Sequence, residues 1–172
     1  MKNDSEILIA ESEIKKRIAE LADALRAYCA GDDLMIVWLK DGAAMFVEEF
    51  CKHIGCGVKT LGVKASSYGH GKTSSGKVEI SDEIFGVSAR RILLMDDILD
   101  SGETARAVCL KLRELGAEEI KTCFLFSKKN TKGCVFEPDY VGFEIQDLFV
   151  YGFGLDLECR LRELSDLYYI KE

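Results

Sequence analysis

The stretch Arg90-Arg91-Ile92-Leu93-Leu94-Met95-Asp96-Asp97-Ile98-Leu99-Asp100-Ser101-Gly102-Glu103-Thr104-Ala105 decides the fold. Its apolar run has the length of a buried strand and ends in two acids; a third acid follows, and a Ser-Gly-x-Thr turn opens a helix-patterned segment. In an open α/β sheet, ligands sit at the carboxyl ends of strands, and backbone N–H groups at a helix N-terminus favour anions such as phosphate. The turn supplies what such a cradle needs. Gly102 lets the backbone approach closely, Ser101 and Thr104 donate hydrogen bonds, and the helix is predicted to begin at about Thr104. Asp96 and Asp97 can accept hydrogen bonds from sugar hydroxyls or hold a hydrated divalent cation. Ordinary capping chemistry uses the same residue types, so spacing alone leaves both readings open.

Outward from this stretch, the period of the apolar residues alternates between helix and strand. Ile14, Ile18, Leu21, Ala22, Leu25 and Tyr28 recur at helical spacing, with Gly31 as a stop. Residues 34–39 form an apolar strand that ends in Lys40-Asp41-Gly42, and residues 43–53 are helix-patterned. Residues 58–64 read as the next strand, residues 65–77 as a polar loop of Ser, Gly, Thr and Lys, and residues 78–80 as a returning strand. Ala105, Val108, Cys109, Leu112 and Leu115 make a helical stripe before a strand at 120–126, and residues 7–10 and 167–170 read as short terminal strands. Strands alternating with helices predict an α/β fold: a mainly parallel twisted sheet flanked by helices, with right-handed crossovers.

The chain has 172 residues, 48% of them hydrophobic, with one proline, and so predicts a single domain over residues 1–172. A net charge of −7 argues against non-specific nucleic-acid binding and gives no basic membrane patch. Any phosphate site must be built locally. No apolar run approaches the roughly 18 residues of a membrane span, and no secretory signal pattern is present. Seven cysteines without a Cys-x-x-Cys pair read as reduced thiols, so a cytoplasmic protein is expected.

Residues 92–104 resemble the phosphoribosyl-pyrophosphate motif of type I phosphoribosyltransferases, and further matches from Leu39 to Arg162 resemble the hypoxanthine(-guanine) phosphoribosyltransferases among them. The resemblance implies that fold, with a core at about 30–130, a small hood from about 1–12 and 134–172, and a flexible loop at about 65–77 carrying Ser67 and Tyr68. It implies that Asp96 and Asp97 hold the ribose hydroxyls, that residues 100–104 (Asp100, Ser101, Gly102, Glu103, Thr104) bind the phosphoribosyl group, and that Asp100 is the acid/base at purine N7. Glu103 puts an acid beside the cradle. Lys40, Asp41 and Gly42 match the pyrophosphate loop, where the family commonly has a cis peptide that would fall at Leu39-Lys40. Asp41 stands where glycine is usual, so its side chain either points away or binds cation. Arg162 matches a pyrophosphate-binding arginine.

The segment Pro138-Asp139-Tyr140-Val141-Gly142-Phe143-Glu144-Ile145 and the following Phe149-Val150 also match. By the resemblance, Ile98, Lys128, Phe149, Val150 and Asp156 form the purine site: Phe149 stacks on the base, the Val150 backbone reads its edge, and Lys128 donates to its exocyclic oxygen. Lysine donates and never accepts, which favours a 6-oxopurine over adenine. Asp96, Asp97 and Asp156 are the implied metal contacts, with Mg2+ as cofactor. The implied partners are phosphoribosyl pyrophosphate, a 6-oxopurine, the nucleoside monophosphate and pyrophosphate, with neither nucleic acid nor membrane, and the assembly is a homodimer or homotetramer. The implied activity is purine salvage by phosphoribosyl transfer to hypoxanthine and guanine. A xanthine- or guanine-preferring transferase and a non-catalytic phosphoribosyl-pyrophosphate sensor are the alternatives.

Overall fold

The computed structural model describes residues 5–55, 57–67, 78–129 and 134–171. In chain order they form β1 (Ser5–Ile9), α1 (Glu11–Cys29), β2 (Leu34–Leu39), α2 (Ala44–Ile54), β3 (Lys59–Val63), β4 (Ala65–Ser67), β5 (Val78–Ile80), a 3₁₀ helix (Asp82–Gly86), β6 (Arg91–Leu99), α3 (Glu103–Glu114), β7 (Glu119–Lys128), β8 (Tyr140–Ile145), β9 (Val150–Tyr151) and β10 (Leu167–Ile170).

Five strands pair in the order β3-β2-β6-β7-β8, and every pairing is parallel. Both faces are covered, which is why β2 and the 92–95 half of β6 read as unbroken apolar runs. Leu34, Ile36, Leu93 and Met95 pack with the inner stripe of α1 and with Phe46 and Phe50 of α2. Met35, Val37, Leu39, Ile92 and Leu94 pack on the other face with Val108 and Leu112 of α3 and Ile84 of the 3₁₀ helix. From β2 the chain crosses to β3 on one side, whereas from β6 it proceeds to β7 and β8 on the other. The order therefore reverses between β2 and β6, and their carboxyl ends border the crevice where such sheets take ligands.

Two expectations are corrected, and the state of one peptide is given. Strand β6 continues through the acids to Leu99, because its pairing with β7 extends to Leu99↔Ser127 after its pairing with β2 has ended at Met95. The polar loop begins later than its composition suggests: residues 65–67 pair antiparallel with β5. The Leu39-Lys40 peptide is trans, as are all described peptides. In that form the Lys40 N–H donates to Val63 O at 2.9 Å, and Asp41 makes the turn with φ 83°.

A second, antiparallel sheet, β1-β10-β9, joins the two ends of the described chain. Its C-terminal segment also caps α1, where Asp166 accepts from the Glu11 N–H at 2.7 Å. Strand β8 belongs to the main sheet, not to this one. Asp139 fixes its start: the Thr122 N–H and hydroxyl donate to Oδ2 at 2.8 and 2.9 Å, and the Asp139 N–H donates back to Thr122 Oγ1 at 2.9 Å. The Pro138-Asp139 match is thus a latch between strands.

Candidate active site

A cavity of about 350 Å3 opens at the β2/β6 crevice. Asp96, Asp97, Ile98, Asp100, Ser101, Gly102 and Thr104 line it from β6, the turn after it and the start of α3; Lys40, Asp41 and Gly42 line it from the turn after β2, and Arg162 from the C-terminal segment. Residues expected from three separate stretches of sequence therefore meet in one place.

The two strand-end acids differ in setting. Asp97 is buried, and its Oδ1 accepts from the Ile98 N–H at 2.8 Å; Asp96 Oδ1 accepts from the Asp97 N–H at 2.9 Å. Burial, and then the adjoining Asp97 charge, push the Asp96 carboxyl well above the usual range. Burial also raises Asp97, but a hydrogen bond to Asp96 and the Arg162 charge pull against it. The pair therefore holds a proton more readily than two solvated carboxylates would.

Gly42 lies directly against Asp97, so close that a Cβ there would stand 1.6 Å from Asp97 Oδ2. Gly154 lies against Gly42 in turn, where a Cβ would stand 2.1 Å from Gly42 O. Backbone thus packs on backbone behind the acids. The Gly154 segment is unusual locally: Gly152, Phe153 and Gly154 all have positive φ, as do Glu158, Cys159 and Leu161. Such clusters of costly conformations gather at functional sites when the surroundings enforce them. Here the enforcing contacts are Phe153 N–H to Leu164 O at 2.7 Å, Gly154 N–H to Arg162 O at 2.9 Å, and Arg162 Nη1 to Gly154 O at 2.9 Å.

At the cradle, Gly102 caps α3 with φ 79°, and a Cβ there would stand 2.4 Å from Phe136 Cβ. The helix begins at Glu103, one residue before the expected start; the Glu103 N–H donates to Ser101 Oγ at 3.4 Å. Glu103 does not line the main cavity. It lines a neighbouring one with Arg106 and Leu110, on the outer side of α3.

The two cations arrive already partnered. Lys40 Nζ is 2.6 Å from Glu83 Oε1 of the 3₁₀ helix, and Arg162 Nη2 is 2.6 Å from Asp156 Oδ1. Asp156 also accepts from the Cys159 N–H at 2.8 Å, so it holds the turn that carries Arg162. Asp41 turns its exposed carboxylate toward Lys64, 4.0 Å away.

Lys128 closes β7 and lies between two acids, 3.5 Å from Asp100 Oδ2 and 3.0 Å from Asp147 Oδ1. Phe149 is 56% exposed, a large apolar face left open, while Val150 is buried in β9. Lys128, Phe149, Val150 and Asp156 do not line the main cavity; Lys128 is tied to it through Asp100, and Asp156 through Arg162. Ser67 ends β4, and Tyr68 lies outside the described residues. Glu83 and Asp147 were not anticipated. Their sequence surroundings do not mark them among 30 acids, although Asp147 stands two residues before Phe149.

Among the described residues no three His, Cys, Asp or Glu side chains gather as a metal cage, and Asp156 is spent on Arg162 instead of joining Asp96 and Asp97. The Asp96–Asp97 pair still suits a cation by its chemistry. Magnesium is commonly held by one or two carboxylates together with substrate oxygens, and a cation's charge would offset the burial that raises these carboxyls.

Comparison with known proteins agrees with this arrangement. The phosphoribosyl transferase domain family matches residues 5–158. The hypoxanthine-guanine phosphoribosyltransferase of Bacillus subtilis is 36% identical over 166 residues, covering 95% of this chain and 92% of its own length. That of Aquifex aeolicus is 32% identical over 168 residues, covering 96% and 94%. A crystal structure of a hypoxanthine phosphoribosyltransferase from Staphylococcus aureus superposes with a TM-score of 0.88 at 31% identity, covering 96% of this chain and 91% of that one. With its parallel sheet, its acid pair at the β6 end and its glycine-capped α3 beside them, the chain belongs to the phosphoribosyltransferase family, among the hypoxanthine(-guanine) phosphoribosyltransferases.

Proposed function

We propose that the protein transfers the 5-phosphoribosyl group of phosphoribosyl pyrophosphate to N9 of hypoxanthine or guanine, releasing pyrophosphate. The observation that carries this reading is the convergence, in one crevice, of an anion cradle at the α3 N-terminus, a buried acid pair and the Lys40 and Arg162 cations.

Ser101, Gly102 and Thr104 hold the 5′-phosphate through hydroxyls and helix N-terminal N–H groups. Asp96 and Asp97 accept from the ribose 2′- and 3′-hydroxyls. As the C1′–pyrophosphate bond breaks, negative charge grows on the leaving group, and Lys40 and Arg162 lie in place to receive it. Binding must first draw Lys40 from Glu83. Asp96 and Asp97 would hold a divalent cation such as Mg2+, which would supply further positive charge against the departing pyrophosphate. Phe149 offers its open face to the base, the Val150 backbone meets the base edge, and Lys128 donates to O6. Asp100, beside Lys128, takes the proton released from the purine at N7 in synthesis and returns it in the reverse direction. Free thiols among the described residues support a reducing compartment such as the cytoplasm, and the family supports a homodimer or homotetramer.

The test is a spectrophotometric assay with phosphoribosyl pyrophosphate, Mg2+ and each of hypoxanthine, guanine, xanthine and adenine. Turnover of hypoxanthine or guanine with little of adenine is expected; phosphoribosyl-pyrophosphate binding without turnover of any base would leave a sensor instead.

A further inference from the structure

We propose that Asp147 is a positioning residue for base recognition: it holds the Lys128 ammonium from the side opposite Asp100, so that the lysine meets the 6-oxo group of the purine already aimed. The proposal rests on the functional reading above and concerns a residue that reading does not use.

The geometry is built by the backbone. Lys128 and Ile145 are partners at the ends of β7 and β8, and the Lys129 N–H donates to Ile145 O at 2.7 Å, so the two strand ends are fixed together. Immediately beyond, the Leu148 N–H donates to Gln146 O at 2.8 Å. That bond closes a three-residue turn with Asp147 at its centre. The turn brings the Asp147 carboxylate back to 3.0 Å from Lys128 Nζ, closer than the 3.5 Å of Asp100.

An ammonium on a four-carbon stem has no preferred direction of its own. Two carboxylates from different loops give it one. They also divide its charge, so that Lys128 does not collapse onto Asp100, the group that must move a proton. The Lys128 side chain is only 17% exposed, which keeps these charge-assisted contacts from being fully screened. Because the Asp147 side chain is 66% exposed, replacing it leaves no buried vacancy.

The decisive experiment is steady-state kinetics of Asp147→Asn, Asp147→Glu, Lys128→Met and the Asp147→Asn/Lys128→Met double variant, with melting temperatures recorded for each. Asp147→Asn is expected to raise KM for hypoxanthine about tenfold while KM for phosphoribosyl pyrophosphate stays within about twofold, and Asp147→Glu to recover most of the loss. In the Lys128→Met background the Asp147→Asn change should have no further effect, since the group it positions is gone. An equal rise in both KM values, a full additive effect in the double variant, or an unchanged hypoxanthine KM would each overturn the proposal while wild-type turnover left the functional reading standing. Wild-type protein that turns over no base would overturn both.

Discussion

Asp41 and Gly42 are neighbours with opposite demands on a side chain. Asp41 takes φ 83° and tolerates its Cβ, since Asp is among the residues that enter the left-handed region at modest cost. Gly42 has no room for one, because Asp97 fills the space. Gly42→Ala must therefore displace the buried Asp97 carboxylate, with an expected stability loss of about 1–3 kcal/mol in urea titration and loss of phosphoribosyl-pyrophosphate binding. Unchanged binding would mean that Asp97 can move without consequence to the ribose site. Asp41→Gly relieves backbone strain but gives up chain entropy of similar size, so its stability should change by less than about 0.5 kcal/mol. Its effect belongs to charge. Removing a carboxylate from the rim should lower KM for phosphoribosyl pyrophosphate about two- to fivefold at low salt, and raising the salt should erase the difference. At the chemical centre, Asp100→Asn should lower turnover by about 10²- to 10⁴-fold while phosphoribosyl pyrophosphate still binds, which equilibrium titration beside stopped-time assays would check.

Strand β8 shows how an element can be held by one side chain. Thr122 is buried in β7, and both its N–H and its hydroxyl depend on Asp139. Asp139→Ala leaves those groups unsatisfied, a cost of about 2–3 kcal/mol, and frees the strand that leads to Asp147 and Phe149. A melting point lower by roughly 5–10 °C, with a raised hypoxanthine KM, is the expected pair of results; a lowered melting point without a KM change would uncouple β8 from the base site. The sequence made β2, β6 and α3 legible because each is an apolar run or stripe punctuated by glycine or acid. It hid the role of β8, where Gly142 and Glu144 interrupt the pattern and the partner strand, β7, ends at Lys128, well before β8 begins at Tyr140. The same limit applies to side-chain partners. Lys40 and Lys128 could be singled out, but Glu83 and Asp147 could not, because ion pairs between distant loops leave no spacing to read. The run of positive φ at residues 152–161 was equally hidden, since Phe153 and Leu161 are not residues that ordinarily announce it.

At the scale of the whole molecule, both faces of the main sheet bury thiols that hold their protons. Burial pushes Cys29 and Cys109 up to about 11 and raises Cys123 further still, while Cys134 and Cys159 are exposed. Burial, then the Glu119 charge, raises Tyr28 to about 12; its hydroxyl donates to Ile92 O at 2.9 Å. In the unfolded chain these thiols ionise near 8.5 and the phenol near 10. Between those values and the folded ones, the native state binds more protons than the unfolded state, so stability falls as pH rises. The contribution is complete below about pH 8.5 and drains away through about 11, with the tyrosine extending the loss toward 12. The urea midpoint should therefore decline steadily from pH 8.5 to 11, and Cys109→Ala should make the decline shallower by removing one of the titrating groups. A midpoint that stays flat to pH 10.5 would show that the thiols ionise without unfolding either core. Over the same range a thiol reagent should modify Cys134 and Cys159 first, and reach Cys29, Cys109 and Cys123 only as the sheet opens.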